Sequence, residues 1–462
     1  MELQDFLNYQ RVKENLYCGI KENDILYLRP SISSGINWLN PPSIYNELVI
    51  NEMKKNHFIK NYSSNNGYLV LLDSIKQYEY YKFNTNLNES ILSSNLDICI
   101  TPGATASISL LFNYIYTQKS GSQFLILGLS YYMFYFCLER LNFNFYTLTS
   151  KLSGRIYPTI YEIEHYLLNL DNNIDYVILT APLNPSGEMY NENEFDYLIK
   201  ILKKNNIKLI IDICQMDEFN NVGEYVNFNV ISSHNYYESN LIIINSFSKT
   251  RSIPGARIGY IVAPKNIIEY ISSQNEYYYS NHPLIYITPI ITDMIFRIHK
   301  LSIINGQEIS IRKISNLFRK NIINRLGLAL YHDIFKILFI DIVEKYNEFS
   351  LEIKYQHEIF EYNKNYILAK LNRYIDDYTD LQGGFNFCIK LKDTSKNEQL
   401  IFSELVSKNI ASIILPECAF NGYCVEENNE PFWIRITVAL DTTIFANIVD
   451  RFESFLNQLN LK

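Results

Sequence analysis

Through the middle of the chain, short runs of β-branched and aliphatic residues alternate with longer stretches whose apolar positions recur at helical spacing. The runs predict strands at Leu96 to Ile100, Gln123 to Leu127, Asp175 to Thr180, Ile207 to Asp212, Asn240 to Asn245 and Ile258 to Val262. Several, such as Ile207 to Ile211, are apolar without alternation, the pattern of strands covered on both faces. The expected fold class is α/β, with a mostly parallel central sheet flanked by helices. Nearly every run ends in a polar or Gly/Pro-marked turn. Ligands of open parallel sheets sit outside the carboxyl ends of the strands, so those turns are where chemistry is sought.

The last third has a different rhythm. Long helical stretches fill Leu284 to Leu371, then short runs at Phe385 to Lys390, Ser412 to Leu415 and Trp433 to Val438 surround a helix near Glu398 to Lys408. This predicts a smaller α+β domain. A chain of 462 residues exceeds the roughly 250 to 300 residues one core usually supports. The expected division is a large domain over 61–300, a small domain over 301–462 with an extended helical region, and an N-terminal segment, 1–60, that joins the small domain.

Composition narrows the partners. A hydrophobic content of 47% with 19% charged residues describes a folded globular chain, and a net charge of −8 without a long Lys/Arg run offers no field for nucleic acid. The first residues lack the basic and apolar regions of a signal peptide, and the most apolar window, Leu129 to Tyr146, contains Glu139 and Arg140. No membrane partner and a cytoplasmic location are expected. Seven cysteines, odd in number and never spaced C-x-x-C, predict free thiols, with no metal site.

The strand ends supply a coherent set: Asn184-Pro185-Ser186-Gly187, then Asp212, then Ser246-Phe247-Ser248-Lys249, with Arg257 eight residues further on. Each type has a job if a phosphorylated pyridine aldehyde binds there. Lys249 can condense with the aldehyde, most readily when apolar walls and other cations keep its amine neutral. Asp212 can hold the ring nitrogen protonated: opposite charges ~4 Å apart at an effective dielectric near 20 attract by about 4 kcal/mol, or roughly three pKa units. The phosphate needs helix N-terminal amides, hydroxyls and an arginine. Gly103, Ala104 and Thr105, where a strand gives way to an apolar helix, are candidates with Ser246, Ser248 and Arg257.

Taken together, these segments resemble the fold-type I, pyridoxal 5'-phosphate-dependent aminotransferases of class I/II, over Tyr62 to Gly259 and again over Gln382 to Leu440. The resemblance implies that Lys249 carries the cofactor as a Schiff base and shuttles the proton, that Asp212 pairs with the ring nitrogen, and that Asn184 donates to the ring hydroxyl. It implies that Arg257, Ser246, Ser248 and Thr105 hold the phosphate and that Tyr131 stacks on the ring. Tyr62 resembles the tyrosine that reaches the neighbouring subunit's phosphate, which implies a homodimer with shared active sites. Arg435, in Trp433-Ile434-Arg435-Ile436-Thr437, resembles the arginine that grips a substrate α-carboxylate, with the Gly35 backbone against the same group. The implied reaction transfers the amino group of an L-amino acid to a keto acid. Alternatives are β/γ-elimination, cyclisation or oxidation on the same cofactor, or a catalytically idle protein that binds it. Two departures stand out: Gln215 occupies the place of the family's usual tyrosine donor to the ring hydroxyl, and the segment between Arg257 and Arg435 is longer than the family leads one to expect.

Overall fold

A computed structural model describes residues 30–33, 35–54, 63–84, 95–168, 174–219, 240–278, 286–328, 341–392, 405, 410 and 433–458. In chain order the strands are β1 (Leu96–Thr101), β2 (Gln123–Leu127), β3 (Asn144–Leu148), β4 (Tyr176–Thr180), β5 (Lys208–Asp212), β6 (Leu241–Ser246), β7 (Gly259–Pro264), β8 (Ile375–Tyr378), β9 (Asn386–Leu391) and β10 (Trp433–Thr437). Strands β1 to β7 belong to one seven-stranded, mostly parallel sheet, and β10-β9-β8 form a second, antiparallel one. The expected α/β class is what the chain adopts. All six predicted strands of the large sheet are present, within a residue or two at each end. Two strands escape the pattern. β3 and β8 are half-buried or exposed at most positions, so neither carries the continuous apolar run that marks a covered strand.

The chain divides into two compact units. The first has its described residues within Met1–Leu39, Gln118–Met189 and Gln356–Lys462. It contains β2 paired in parallel with both β3 and β4, together with the antiparallel sheet. Ile367, Phe385, Phe387, Ile436, Phe445 and Phe452 are among the side chains of its apolar core. The predicted helix near Glu398 to Lys408, apart from Leu405, and the run Ser412 to Leu415 lie outside the described residues.

The second unit, within Asn40–Thr117 and Tyr190–Tyr355, carries β1, β7, β6 and β5. Around them lie helices α1 (Leu69–Asn84), α2 (Ala104–Gln118), α3 (Glu192–Lys204) and α4 (Ile287–Ile304). Local signals set the ends of α3: Asn191 and Glu194 form a reciprocal capping box, and Lys203 and Lys204 sit in the last turn, where they favour the negative end of the helix dipole. Helix α4 lies within the helical stretch expected after Leu284, and 14 of its 18 residues are buried. Two of those are charged, Asp293 and Arg297.

They belong to a buried ionic cluster. Arg297 bonds Asp293 at 2.8 Å, Glu218 at 2.7 Å and Asp217 at 2.8 Å, and Arg251 bonds Asp293 at 2.9 Å. Lys82 on α1 lies 3.1 Å from Glu79 and 3.3 Å from Glu218. Burial pushes the Glu218 carboxyl up, but the positive charges of Lys82, Arg297 and Arg251 outweigh it and hold the group at about 2. A carboxyl held below its ordinary 4.5 contributes stability that is complete above that value and is lost as pH falls towards 2. The urea midpoint of the wild type should therefore exceed that of Glu218→Gln by a gap that narrows as pH is lowered through this window. A gap of constant size would show that Glu218 gains nothing from the cluster's charges.

Candidate active site

In the second unit, pairing registers bring four chain segments to one edge. β5 and β6 are parallel with Asp212 opposite Ile244, and the antiparallel β7 places Gly259 opposite both Ser246 and Thr101. The ends of β1, β5 and β6 and the start of β7 thus share an edge, from which run the loops bearing Gly103, Gln215, Lys249 and Arg257.

Arg257 adopts the left-handed region at φ 53°, and its guanidinium donates to the Pro102 carbonyl at 2.9 Å and the Pro254 carbonyl at 3.2 Å. It lies directly over Gly103: a Cβ built there would stand 2.9 Å from its Nη2, in a backbone conformation, φ +83°, that already disfavours side chains. A Cβ on Gly259 would fall 2.7 Å from the Gly103 carbonyl carbon. Two glycines therefore let β1, β7 and the arginine close around the first turn of α2, where Ala104 and Thr105 contribute amides that no helix can satisfy internally. Beside it, the Ser246 hydroxyl accepts the Ser248 N–H at 3.1 Å and donates to the Ser248 hydroxyl at 2.9 Å. First-turn amides, paired hydroxyls and a guanidinium fit a phosphate group.

Asp212 is 5% exposed and accepts the Cys214 N–H at 2.9 Å. Burial raises its pKa, a shift opposed by the bonds from Cys214 and by the positive charge of Lys249. A carboxylate so disfavoured as an anion gains from a protonated ring nitrogen beside it, so the residues present fit the pyridine as well as the phosphate. Lys249 is half-buried, and Gln215 is buried at the same strand end as Asp212.

The first unit repeats the logic at its own strand ends. β2 and β4 are parallel, so the loops bearing Tyr131 and Asn184 leave the same edge, tied by a 2.7 Å bond between the Ser130 and Thr180 hydroxyls. Tyr131, half-buried, meets Tyr132 edge-on at 4.7 Å. Arg435 projects from β10, 4% exposed, and donates from Nε and Nη2 to the Ser33 carbonyl at 3.2 and 2.6 Å and from Nη1 to Asn184 Oδ1 at 3.0 Å. That bond leaves the Asn184 Nδ2 hydrogens as donors. Gly35, at φ +61°, donates its N–H to Thr437 Oγ1 at 2.9 Å, and a Cβ built on it would stand 2.9 Å from Arg435 Cζ. The guanidinium thus rests on bare backbone. Gly35→Ala should therefore displace Arg435 at a strain of roughly 1–3 kcal/mol; on the carboxylate-binding role that the sequence resemblance implies for Arg435, kcat/KM for amino acids should fall about tenfold or more with little change in cofactor binding. Unchanged kcat/KM would mean that the arginine does not need this seat.

Of the residues singled out in the sequence, the structure brings Gly103, Ala104, Thr105, Asp212, Gln215, Ser246, Ser248, Lys249 and Arg257 to one edge, and Gly35, Asn184 and Arg435 into one cluster. Tyr62 lies outside the described residues. Sequence reasoning overlooked Thr437, which anchors Gly35 and donates to Asn386 Oδ1 at 2.8 Å. Its position two residues beyond Arg435, on the same strand face, was the available signal. It also overlooked Glu188, just past Asn-Pro-x-Gly, whose buried carboxylate accepts the Ile156 N–H at 3.0 Å and the Ser186 hydroxyl at 2.5 Å. Among the described residues, no group of His, Cys, Asp and Glu could hold a metal ion, and no helix is long and apolar enough to cross a membrane.

Comparison with known proteins gives the family. The family model for aminotransferase class I and II matches residues 46–301, more than half the chain. An aspartate aminotransferase of Sulfolobus acidocaldarius is 30% identical over 218 residues, 46% of this chain and 50% of that protein. A histidinol-phosphate aminotransferase of a Thermoanaerobacter species is 27% identical over 139 residues, 28% of this chain and 36% of that protein. The chain thus matches half or less of the length of these curated relatives. The crystal structure of an aromatic aminotransferase from Pyrococcus horikoshii shares the fold, with a TM-score of 0.66 at 17% identity over 95% of this chain and 99% of that one. With an anion cradle, a buried aspartate and a lysine at one sheet edge, and a family match across that same region, the chain belongs to the class I and II aminotransferases, whose cofactor is pyridoxal 5'-phosphate.

Proposed function

We propose that this protein transfers the amino group of an L-amino acid to a keto acid, using pyridoxal phosphate bound to Lys249. The observation that carries the reading is the shared edge on which buried Asp212, Lys249 and the Gly103–Arg257 cradle lie. When bound, the cofactor supplies an aldehyde that takes up amines and a ring that stabilises negative charge at the substrate α-carbon.

The remaining work falls to the chain. Arg257, Ser246, Ser248 and the amides of Gly103 to Thr105 hold the phosphate, and Tyr131 covers a ring face. Asp212 keeps a proton on the ring nitrogen, Asn184 and Gln215 donate to the ring hydroxyl, and the Lys249 amine moves the substrate α-proton. Arg435 takes the α-carboxylate with both arms of its fork, while Gly35 and Asn184 set its plane. Resemblance to the family supports a homodimer in which Tyr62 serves the neighbouring subunit's phosphate, and the sequence reading supports a cytoplasmic location.

The test is an absorption spectrum of the purified protein, followed by borohydride reduction and peptide mapping. A visible band trapped on Lys249, with amino-acid-dependent conversion of an added keto acid, is the expected result. Ammonia released without an acceptor would favour elimination, and a folded protein that takes up no pyridoxal phosphate would overturn the reading.

A further inference from the structure

The lysine proposed to carry the cofactor is followed, two residues on, by a fully buried cation. Arg251 is 1% exposed, bonds the Thr250 hydroxyl, and places its guanidinium 5.3 Å from the centre of the Phe247 ring, so it closes the Phe247 to Arg251 turn around Lys249. Its Nε bonds Asp293 Oδ2 at 2.9 Å, and Arg297 Nε bonds that same oxygen at 2.8 Å. Arg297 then reaches Glu218 and Asp217, in the segment that follows Asp212. One carboxylate oxygen on α4 therefore links the lysine loop, through two guanidinium groups, to the aspartate loop.

Packing alone does not call for such an arrangement. Apolar side chains of similar volume often stabilise a core as well as a buried ion cluster does, because they avoid the cost of desolvating charges. Ionic hydrogen bonds differ in being directional: they fix where a backbone segment lies to a few tenths of an ångström. Lys249 and Asp212 need that kind of control, because one must reach the aldehyde and the other the nitrogen of a single rigid ring.

We infer that Asp293 is a positioning residue for cofactor attachment, which with Arg251 and Arg297 holds the Lys249 loop in register with Asp212. The inference rests on the proposed function and deepens it. Neither Asp293 nor Arg251 touches the cofactor in this reading; both act through the backbone of the loop that carries Lys249.

The test uses full-length wild type, Asp293→Asn, Arg251→Met and Arg251→Lys, each first freed of cofactor. Pyridoxal phosphate affinity is measured by equilibrium dialysis, attachment by borohydride trapping and peptide mapping, and ring orientation by circular dichroism in the cofactor's visible band. Asp293→Asn and Arg251→Met should bind about tenfold more weakly, trap a smaller fraction on Lys249 and show altered visible dichroism at an apo melting temperature near wild type. Arg251→Lys should recover part of each signal. Should Asp293→Asn fail to fold, the two Arg251 variants decide the matter. Folded variants with wild-type affinity, trapping and dichroism overturn the inference and leave the function standing, whereas a wild type that traps no cofactor removes both.

Discussion

Lys249→Ala is expected to abolish turnover, with kcat falling by roughly four orders of magnitude or more. On the proposed function, two losses combine in this one change. The amine that attaches the cofactor is gone, so borohydride reduction should no longer label any peptide from this loop. The base that moves the α-proton is gone too, and a positioned general base alone contributes about 10²- to 10⁴-fold. The cradle formed by Gly103, Arg257, Ser246 and Ser248 is untouched, so the variant should still take up pyridoxal phosphate reversibly. Single-turnover measurement of keto-acid formation, beside equilibrium dialysis of the cofactor, separates the two losses. A variant with substantial turnover, or a trapped adduct on another lysine, would move the centre of the reaction elsewhere in the chain.

Asp212→Asn should be nearly as damaging, but in a different place. The substitution keeps the shape of the side chain and an oxygen that can accept from Cys214 N–H, so loop geometry should survive. What disappears is the negative charge. On the proposed function, a carboxylate ~4 Å from the ring nitrogen would favour its protonated form by about 4 kcal/mol, and losing that charge would leave the ring a poorer acceptor of electron density from the α-carbon. The expected outcome is a fall in kcat of about three orders of magnitude, with cofactor affinity reduced by tenfold or less. Equal turnover by Asp212→Asn would remove this residue from the chemistry, and a collapse of cofactor binding with intact kcat would recast it as a structural anchor.

The sequence carried the parts of this protein that local physics decides. β5 and β6 were legible because strands covered on both faces read as unbroken apolar runs, and every position of β6 is buried. The residues at their ends were legible because Asp212 and Ser-x-Ser-Lys interrupt those runs with polar groups at the edge where ligands bind. β3 was missed because Asn144 to Leu148 lies half-exposed, and its pattern passes for a loop. Family resemblance set Gly35 and Arg435 against one substrate carboxylate, but the seat of the guanidinium on Gly35 was not legible, since a glycine gives no sign of what approaches it. The cluster of Arg251, Asp293 and Arg297 was invisible for a related reason: a charged residue on a helix reads as a solvated face, and only the packing of α4 shows that it has none.

Arg435 finds its acceptor at Ser33, 402 positions earlier in the chain, and Thr437 closes on Gly35 across the same interval. A ribosome must deliver β10 before this seat can exist, while Arg257, the last side chain of the phosphate cradle, emerges 178 residues sooner. On the proposed function, synthesis therefore delivers the residues that hold the cofactor's phosphate before the arginine that recognises an amino acid.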